Sequence, residues 1–298
     1  MPIIRNESDV VIRLLKSQAK IALHGAHVYS WTIDDEEQLF MSSATTITGP
    51  AAIRSAKRKL CSRSNLMVLG AEVVFLSAFQ HEPFQNLKQH GFARNLSWVF
   101  DGADEEADSI QARFSLATSP EIQKVFLPAF VCRYTVTISG NSLRTTLQVT
   151  NPSESDFNFQ ALLHTYLRLP SECPPADVLV GSLKGLSFAD KVAGGKVSEE
   201  KREKLDFKEG EVDRVYDHVP DAIEVKMGNK KVIDMKTISL PNLTVWNPHQ
   251  EKSDAMGDME KDGWKRFVCI EPGHTSFVKL SPKASWTGEQ LLTAKMIE

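Results

Sequence analysis

Three short stretches carry side chains that can do chemistry. FNFQALLHTYLRL (157–169) puts a histidine, His164, in the middle of an apolar run. RFVCIEPGH (266–274) puts a carboxylate, Glu271, at the end of another. KQHGFARN (88–95) gathers an amide, an imidazole and a guanidinium, those of Gln89, His90 and Arg94, around Gly91. Histidine titrates near neutral pH, and a carboxylate taken out of water becomes a stronger base, so His164 and Glu271 are of the right types to donate and accept a proton. The planar fork of arginine suits a phosphate or a carboxylate. Each stretch also has a plain structural explanation. His164 can be a surface or hydrogen-bonded structural histidine, Glu271 an exposed strand end, and Arg94 a loop arginine that binds only water.

The elements that would hold these groups are strands. Cys132, Tyr134, Val136 and Ile138 alternate with Arg133, Thr135 and Thr137. After SGNS (139–142), Leu143, Leu147 and Val149 alternate with Arg144, Thr146 and Gln148. This is a β-hairpin with a Gly-Asn turn. Similar runs recur at 10–15, 20–23, 27–33, 97–100, 110–116, 232–240, 243–246, 267–271, 277–280 and 290–296. Many short strands divided by Gly, Pro, Asn or Asp predict a sandwich or barrel. Neither a repeat nor a linker is visible. The charged run 196–213 is expected to be a short helix or a solvated loop.

Successive side chains of a strand point to opposite faces. In 157–169 one face therefore holds Phe157, Phe159, Ala161, Leu163, Thr165, Leu167 and Leu169. The other holds Asn158, Gln160, Leu162, His164, Tyr166 and Arg168. That second face is either a wet surface or a floor for a sugar. In 266–274, Phe267, Cys269 and Glu271 share one face, and a Pro-Gly turn is expected after Glu271.

Composition narrows the classes. The 298 residues are 42% hydrophobic and 24% charged, ordinary for a globular protein. A formal net charge of −3 argues against a nucleic-acid binder. The first residues form no clean apolar run, so no signal peptide is expected. The most apolar window, 65–79, contains Glu72 and is too short to cross a bilayer. Cys61, Cys132, Cys173 and Cys269 are scattered and never in CxxC. Neither a disulfide framework nor a zinc cluster is expected, and the default compartment is the cytoplasm.

HGFARN, LLHTYLRL and CIEPGH occur in that order, together with GAHVYSW (25–31), GLSFADK (185–191), EVDRVY (211–216) and VWNP (245–248). Each is modest alone, but the ordered set is specific. It resembles the hexose-6-phosphate mutarotase branch of the aldose 1-epimerase family, from about Val10 to the C-terminus. The resemblance implies an all-β fold, a large antiparallel β-sandwich of the galactose mutarotase-like supersandwich type, over 1–298. It implies no metal or organic cofactor and a small-molecule hexose 6-phosphate as partner; neither nucleic acid nor membrane is expected as a partner, and a monomer is expected. It implies His164 as the acid toward the ring oxygen and Glu271 as the base toward the anomeric hydroxyl. It further implies that Arg54, Gln89, Arg94 and Asp190 bind substrate, the two arginines on the phosphate, with His90 as a sugar-hydroxyl contact.

One stretch departs from the family. After AAIR (51–54) the family pattern RGGxPxxFPxFG is missing. The chain instead runs through a basic segment, 55–69, before GAEVVFLSAF (70–79), which reads as a degraded echo of the lost piece. A tolerated surface insertion, an altered coding segment and a variant of changed activity are all compatible with this. The expected consequence is weaker phosphate binding through a displaced Arg54, with the chemistry spared. The alternatives to a mutarotase are a catalytically impaired sugar-phosphate-binding protein on the same fold and an epimerase of unphosphorylated aldoses. A glycosidase is disfavoured, because hydrolysis normally uses two carboxylates.

Overall fold

The computed structural model describes residues 2–45, 71–75 and 90–297, the second of these by its backbone. Arg54, Gln89 and the segment 55–69 lie outside the described residues. The first strands are β1 (Ile3–Arg5), β2 (Asp9–Leu14), β3 (Ser17–Ala22), β4 (His27–Ile33), β5 (Glu36–Glu37) and β6 (Ala71–Phe75). Next come β7 (Val99–Glu105), β8 (Ile110–Ala117), β9 (Val131–Ser139), β10 (Ser142–Thr150), β11 (Phe157–Arg168), β12 (Val178–Val180) and β13 (Ser187–Asp190). The chain closes with β14 (Lys196–Glu199), β15 (Val212–Tyr216), β16 (Ala222–Met227), β17 (Lys231–Ile238), β18 (Asn242–Asn247), β19 (Phe267–Leu280) and β20 (Ser285–Met296).

These strands form two antiparallel sheets. The larger runs β1-β2-β3-β4-β6-β11-β19-β18-β15-β13-β14, with β5 hanging on β4. The smaller runs β12-β16-β17-β20-β10-β9-β8-β7. The hairpin read from the sequence is β9–β10, with Ser139 opposite Ser142 and Gly140 at φ +52° in the turn. Among the described residues, no helix is long and apolar enough to cross a membrane.

The alternation on β11 sorts its side chains as period two requires. Phe157, Phe159, Ala161, Leu163 and Leu167 join the core between the sheets, with Val10, Trp31, Tyr134, Ile233 and Leu292. Thr165 points the same way, where the amide of Gln290 on β20 donates to its hydroxyl at 3.0 Å. The His164 face turns away from the second sheet, but it is not wet. Tyr166 is fully buried there, in a second apolar cluster with Phe40, Trp246, Phe267 and Cys269. Met256 and Met259, from the segment between β18 and β19, cap this cluster.

Two local expectations change. The Pro-Gly after Glu271 is not a turn, because β19 continues through Pro272 and Gly273 to Leu280, with its register against β11 shifting only beyond His274. Gly273 is needed for close approach: a Cβ there would lie 2.9 Å from the Ala161 carbonyl oxygen of the neighbouring strand. Glu271 therefore sits within a central strand rather than at a tip. The charged run 196–213 is neither a helix nor only a loop. It contains β14 and the start of β15, and Glu200 within it is buried.

Candidate active site

Strand register brings the histidine and the glutamate together. β11 and β19 pair Leu162 with Gly273 and Tyr166 with Cys269. The midpoint of that register sets His164 opposite Glu271. The Nδ1 atom of His164 lies 3.2 Å from Oε1 of Glu271. The two residues are only 5% and 4% exposed. A carboxylate so placed has lost most of its water, and an imidazole beside it is the natural partner for a proton.

Packing fixes the imidazole on two sides. Its ring lies flat on Tyr166, centroids 4.9 Å apart and planes 5° from parallel. The ring of His90 meets it edge-on at 5.7 Å and 88°. His90 and Gly91 both take left-handed backbone, φ +65° and +73°. That tight reversal turns the His90 ring onto His164, and the chain then enters a short 3₁₀ turn, Ala93–Asn95, that carries Arg94.

Arg94 is 3% exposed. Its turn is fixed from both ends. The Trp98 indole N–H donates to the Ala93 carbonyl at 3.0 Å. Gly25, at φ +74°, lets the β3–β4 turn press against the Arg94 backbone, and a Cβ at Gly25 would sit 2.9 Å from the Arg94 carbonyl oxygen. β6 packs against the same turn and pairs along β11, its Glu72 backbone in register with that of His164.

Asp190 is not brought to this face. The register runs from Glu271 to Thr244, from Thr244 to Val215 and from Val215 to Ala189, so Ala189 shares the face of Glu271. Asp190 pairs with Arg214 one residue further on, and that row continues through Val245 to Ile270 in the core between the sheets. Its carboxylate accepts from Arg214 Nε at 3.3 Å and from the Ala193 N–H at 3.1 Å. Arg214 in turn donates to Glu200 at 3.0 Å and covers the Phe188 ring at 4.5 Å. Asp190 is thus paired with Arg214, on the face away from His164 and Glu271.

Asp213, unlike Asp190, lies on the His164 face. It is opposite Trp246, which is opposite Cys269, which is opposite Tyr166. Its side chain is 13% exposed, with the ammonium groups of Lys191 and Lys252 at 3.4 and 3.9 Å. Asp213 belongs to EVDRVY, one of the motifs behind the family resemblance. The available signal was alternation within that motif, which separates Asp213 from Arg214, but only the cross-strand register says which of the two faces His164.

Cys269 completes the floor. It is fully buried beside Glu271, and it contacts Tyr166 as well. Burial pushes its thiol pKa well up, and the neighbouring carboxylate of Glu271 adds to the effect. One donor atom from each of His164, Cys269 and Glu271 lies within 4.8 Å of the others. No local spacing predicted this group, because its members come from two strands far apart in the chain.

Residues 10–293 match the family model described as aldose 1-epimerase. A Cenchrus ciliaris protein named "Putative glucose-6-phosphate 1-epimerase" is 30% identical over 287 residues, 93% of this chain and 81% of that one. An Escherichia coli (strain K12) protein of the same name is 29% identical over 271 residues, 90% and 83% of the two chains. The crystal structure of "a putative mutarotase (YeaD) from Salmonella typhimurium" superposes with a TM-score of 0.83 at 24% identity, covering 99% of this chain and 93% of its own. Galactose 1-epimerase from Lactobacillus acidophilus shares the fold at a TM-score of 0.68 and 12% identity, covering 100% and 98%. With the match spanning nearly its whole length, this chain belongs to the aldose 1-epimerase family.

Proposed function

We propose that the protein interconverts the α and β anomers of hexose 6-phosphates, glucose 6-phosphate foremost. The observation that carries this is the buried contact of His164 Nδ1 with Glu271 Oε1 at 3.2 Å. The two oxygens that exchange protons in mutarotation, the ring oxygen and the anomeric hydroxyl, are both bonded to C1. The acid and the base must therefore be immediate neighbours, as these two side chains are.

His164 gives a proton to the ring oxygen while Glu271 takes the proton of the anomeric hydroxyl. The C1–ring-oxygen bond breaks, leaving a C1 aldehyde and a free C5 hydroxyl. Rotation about C1–C2 presents the other carbonyl face. Ring closure then runs the transfers in reverse, and both groups return to their starting state. Each positioned transfer contributes roughly 10²–10⁴-fold. Arg94 and, outside the described residues, Arg54 and Gln89 are assigned to the phosphate, and His90 and Asp213 to sugar hydroxyls. The names of the Cenchrus and Escherichia relatives support a phosphorylated substrate.

Two-dimensional exchange NMR of glucose 6-phosphate tests the proposal. The wild type is expected to speed α/β exchange, and His164→Ala and Glu271→Ala to abolish the acceleration. A folded wild type that binds the sugar phosphate without accelerating exchange would replace this proposal with a non-catalytic sugar-phosphate-binding protein.

A further inference from the structure

We propose that His164, Cys269 and Glu271 form a binding site for a soft or borderline divalent cation such as Zn²⁺ or Cd²⁺, and that occupation of this site switches the enzyme off. The three residues supply an imidazole nitrogen, a thiol sulfur and a carboxylate oxygen, a donor set that such cations prefer over hard ions. All three are buried, and their donor atoms lie within 4.8 Å of one another. A tetrahedral zinc ion holds nitrogen and oxygen ligands roughly 3.4 Å apart. His164 Nδ1 and Glu271 Oε1 already stand at 3.2 Å. Closing the group on a metal then requires only that the sulfur draw in by about 1 Å to a Zn–S bond of ~2.3 Å.

Charge favours the capture. When the metal–sulfur and metal–nitrogen bonds form, the thiol proton and the proton that His164 carries as the acid leave to solvent. The thiolate and the Glu271 carboxylate then balance the two positive charges of the ion, with His164 neutral. The cost of burying two anions side by side is removed by the cation between them. Tyr166 lies under the His164 ring and also touches Cys269, so one buried side chain supports two of the three ligands. Pairing of β11 with β19 fixes the third relative to them. Three protein ligands leave the fourth tetrahedral position free.

The functional consequence follows from the atoms used. Metal binding occupies Nδ1 of His164 and the carboxylate of Glu271, the groups assigned to proton transfer. The inhibition rests on that assignment, whereas the binding rests on the geometry alone. The two can therefore fail separately.

The test is a titration of the full chain with Cd²⁺ in a non-chelating buffer with a phosphine reductant, read by calorimetry and by the ultraviolet thiolate-to-cadmium charge-transfer band. One equivalent is expected to bind with the band. Cys269→Ser is expected to abolish the band, and His164→Asn and Glu271→Gln to weaken binding by at least about 100-fold, beyond the ~10–100-fold typical of an outer-shell contact. Cys132→Ser and Cys173→Ser, which change the other described thiols, are expected to keep both readouts. Glucose 6-phosphate at saturation should slow cadmium uptake, and cadmium should stop anomer exchange. A band that survives Cys269→Ser, or a wild type that binds cadmium without one, overturns the site. Cadmium bound with the band at one equivalent but with exchange undiminished overturns the switch and, with it, the assigned roles of His164 and Glu271. Should Cys269→Ser fail to fold, the Glu271→Gln and His164→Asn titrations decide alone, and unchanged affinity in both sinks the proposal.

Discussion

Asp190 and Asp213 stand on opposite faces of one sheet, although the backbone N–H of Lys191 donates to the Asp213 carbonyl at 2.8 Å. The pleat separates them. One carboxylate faces the space between the sheets, where Arg214 holds it, and the other faces the side that carries His164 and Glu271. Two aspartates so close in space are thereby given different surroundings.

Asp213→Asn is expected to raise KM for glucose 6-phosphate about 10-fold or more, as losing a charged hydrogen-bond partner of ~1.5–3 kcal/mol would. Asp190→Asn should leave KM and kcat near wild type and lower the thermal midpoint instead. Steady-state anomer exchange and thermal unfolding of the two variants separate the roles. The reverse pattern would return Asp190 to the substrate.

His164→Asn and Glu271→Gln keep the size of each side chain and remove its proton chemistry. Each is expected to lower kcat by roughly 10²–10⁴. The double variant should cost little more than the worse single one, since the two act on one proton circuit. Additive losses in exchange NMR would show that the residues act independently.

Gly25→Ala tests the support of Arg94. The new Cβ meets the Arg94 carbonyl oxygen at 2.9 Å and forces a non-glycine residue to φ +74°. Left-handed backbone costs roughly 1–2 kcal/mol by itself. Relief of the clash must move the turn, and a shift of about 1 Å in a positioning residue can cost ~10²-fold. The expected signature is a raised KM for the phosphorylated sugar with kcat largely kept. A loss confined to kcat would speak against Arg94 as a phosphate contact.

Glu200 is expected to set an acid limit on the fold. Burial pushes its carboxyl up, but hydrogen bonds from Arg202 and Tyr216 and the Arg202 charge outweigh that and bring it down to about 2 from the usual 4.5. A depressed carboxyl stabilises the fold fully above its unfolded value, and the stabilisation fades as pH falls through the folded one. The contribution is on the order of 3 kcal/mol, lost between about pH 4.5 and 2. Glu200→Gln should remove that stability at pH 7 and flatten the dependence below pH 4.5 in urea titrations. An unchanged profile would mean that other carboxylates set the acid limit.

Period-two alternation is a local property of an extended chain, so the sequence by itself determined that His164 opposes Leu163 and Thr165 across β11, and that Cys269 and Glu271 share a face of β19. It also determined the β9–β10 hairpin, through the Gly-Asn turn between two alternating runs. Pro272-Gly273 misled because Pro-Gly in isolation favours a turn. Here the missing Cβ instead admits a neighbouring strand's carbonyl, a contact made only once β11 is in place. The run 196–213 misled because charge usually marks solvent, whereas Glu200 is buried against two arginines and a tyrosine contributed partly by β15. Which strand lies beside which, and in what register, is set by long-range pairing that local spacing does not encode. That pairing alone put Glu271 against His164, gave Asp213 rather than Asp190 to their face, and closed His164, Cys269 and Glu271 into one buried group.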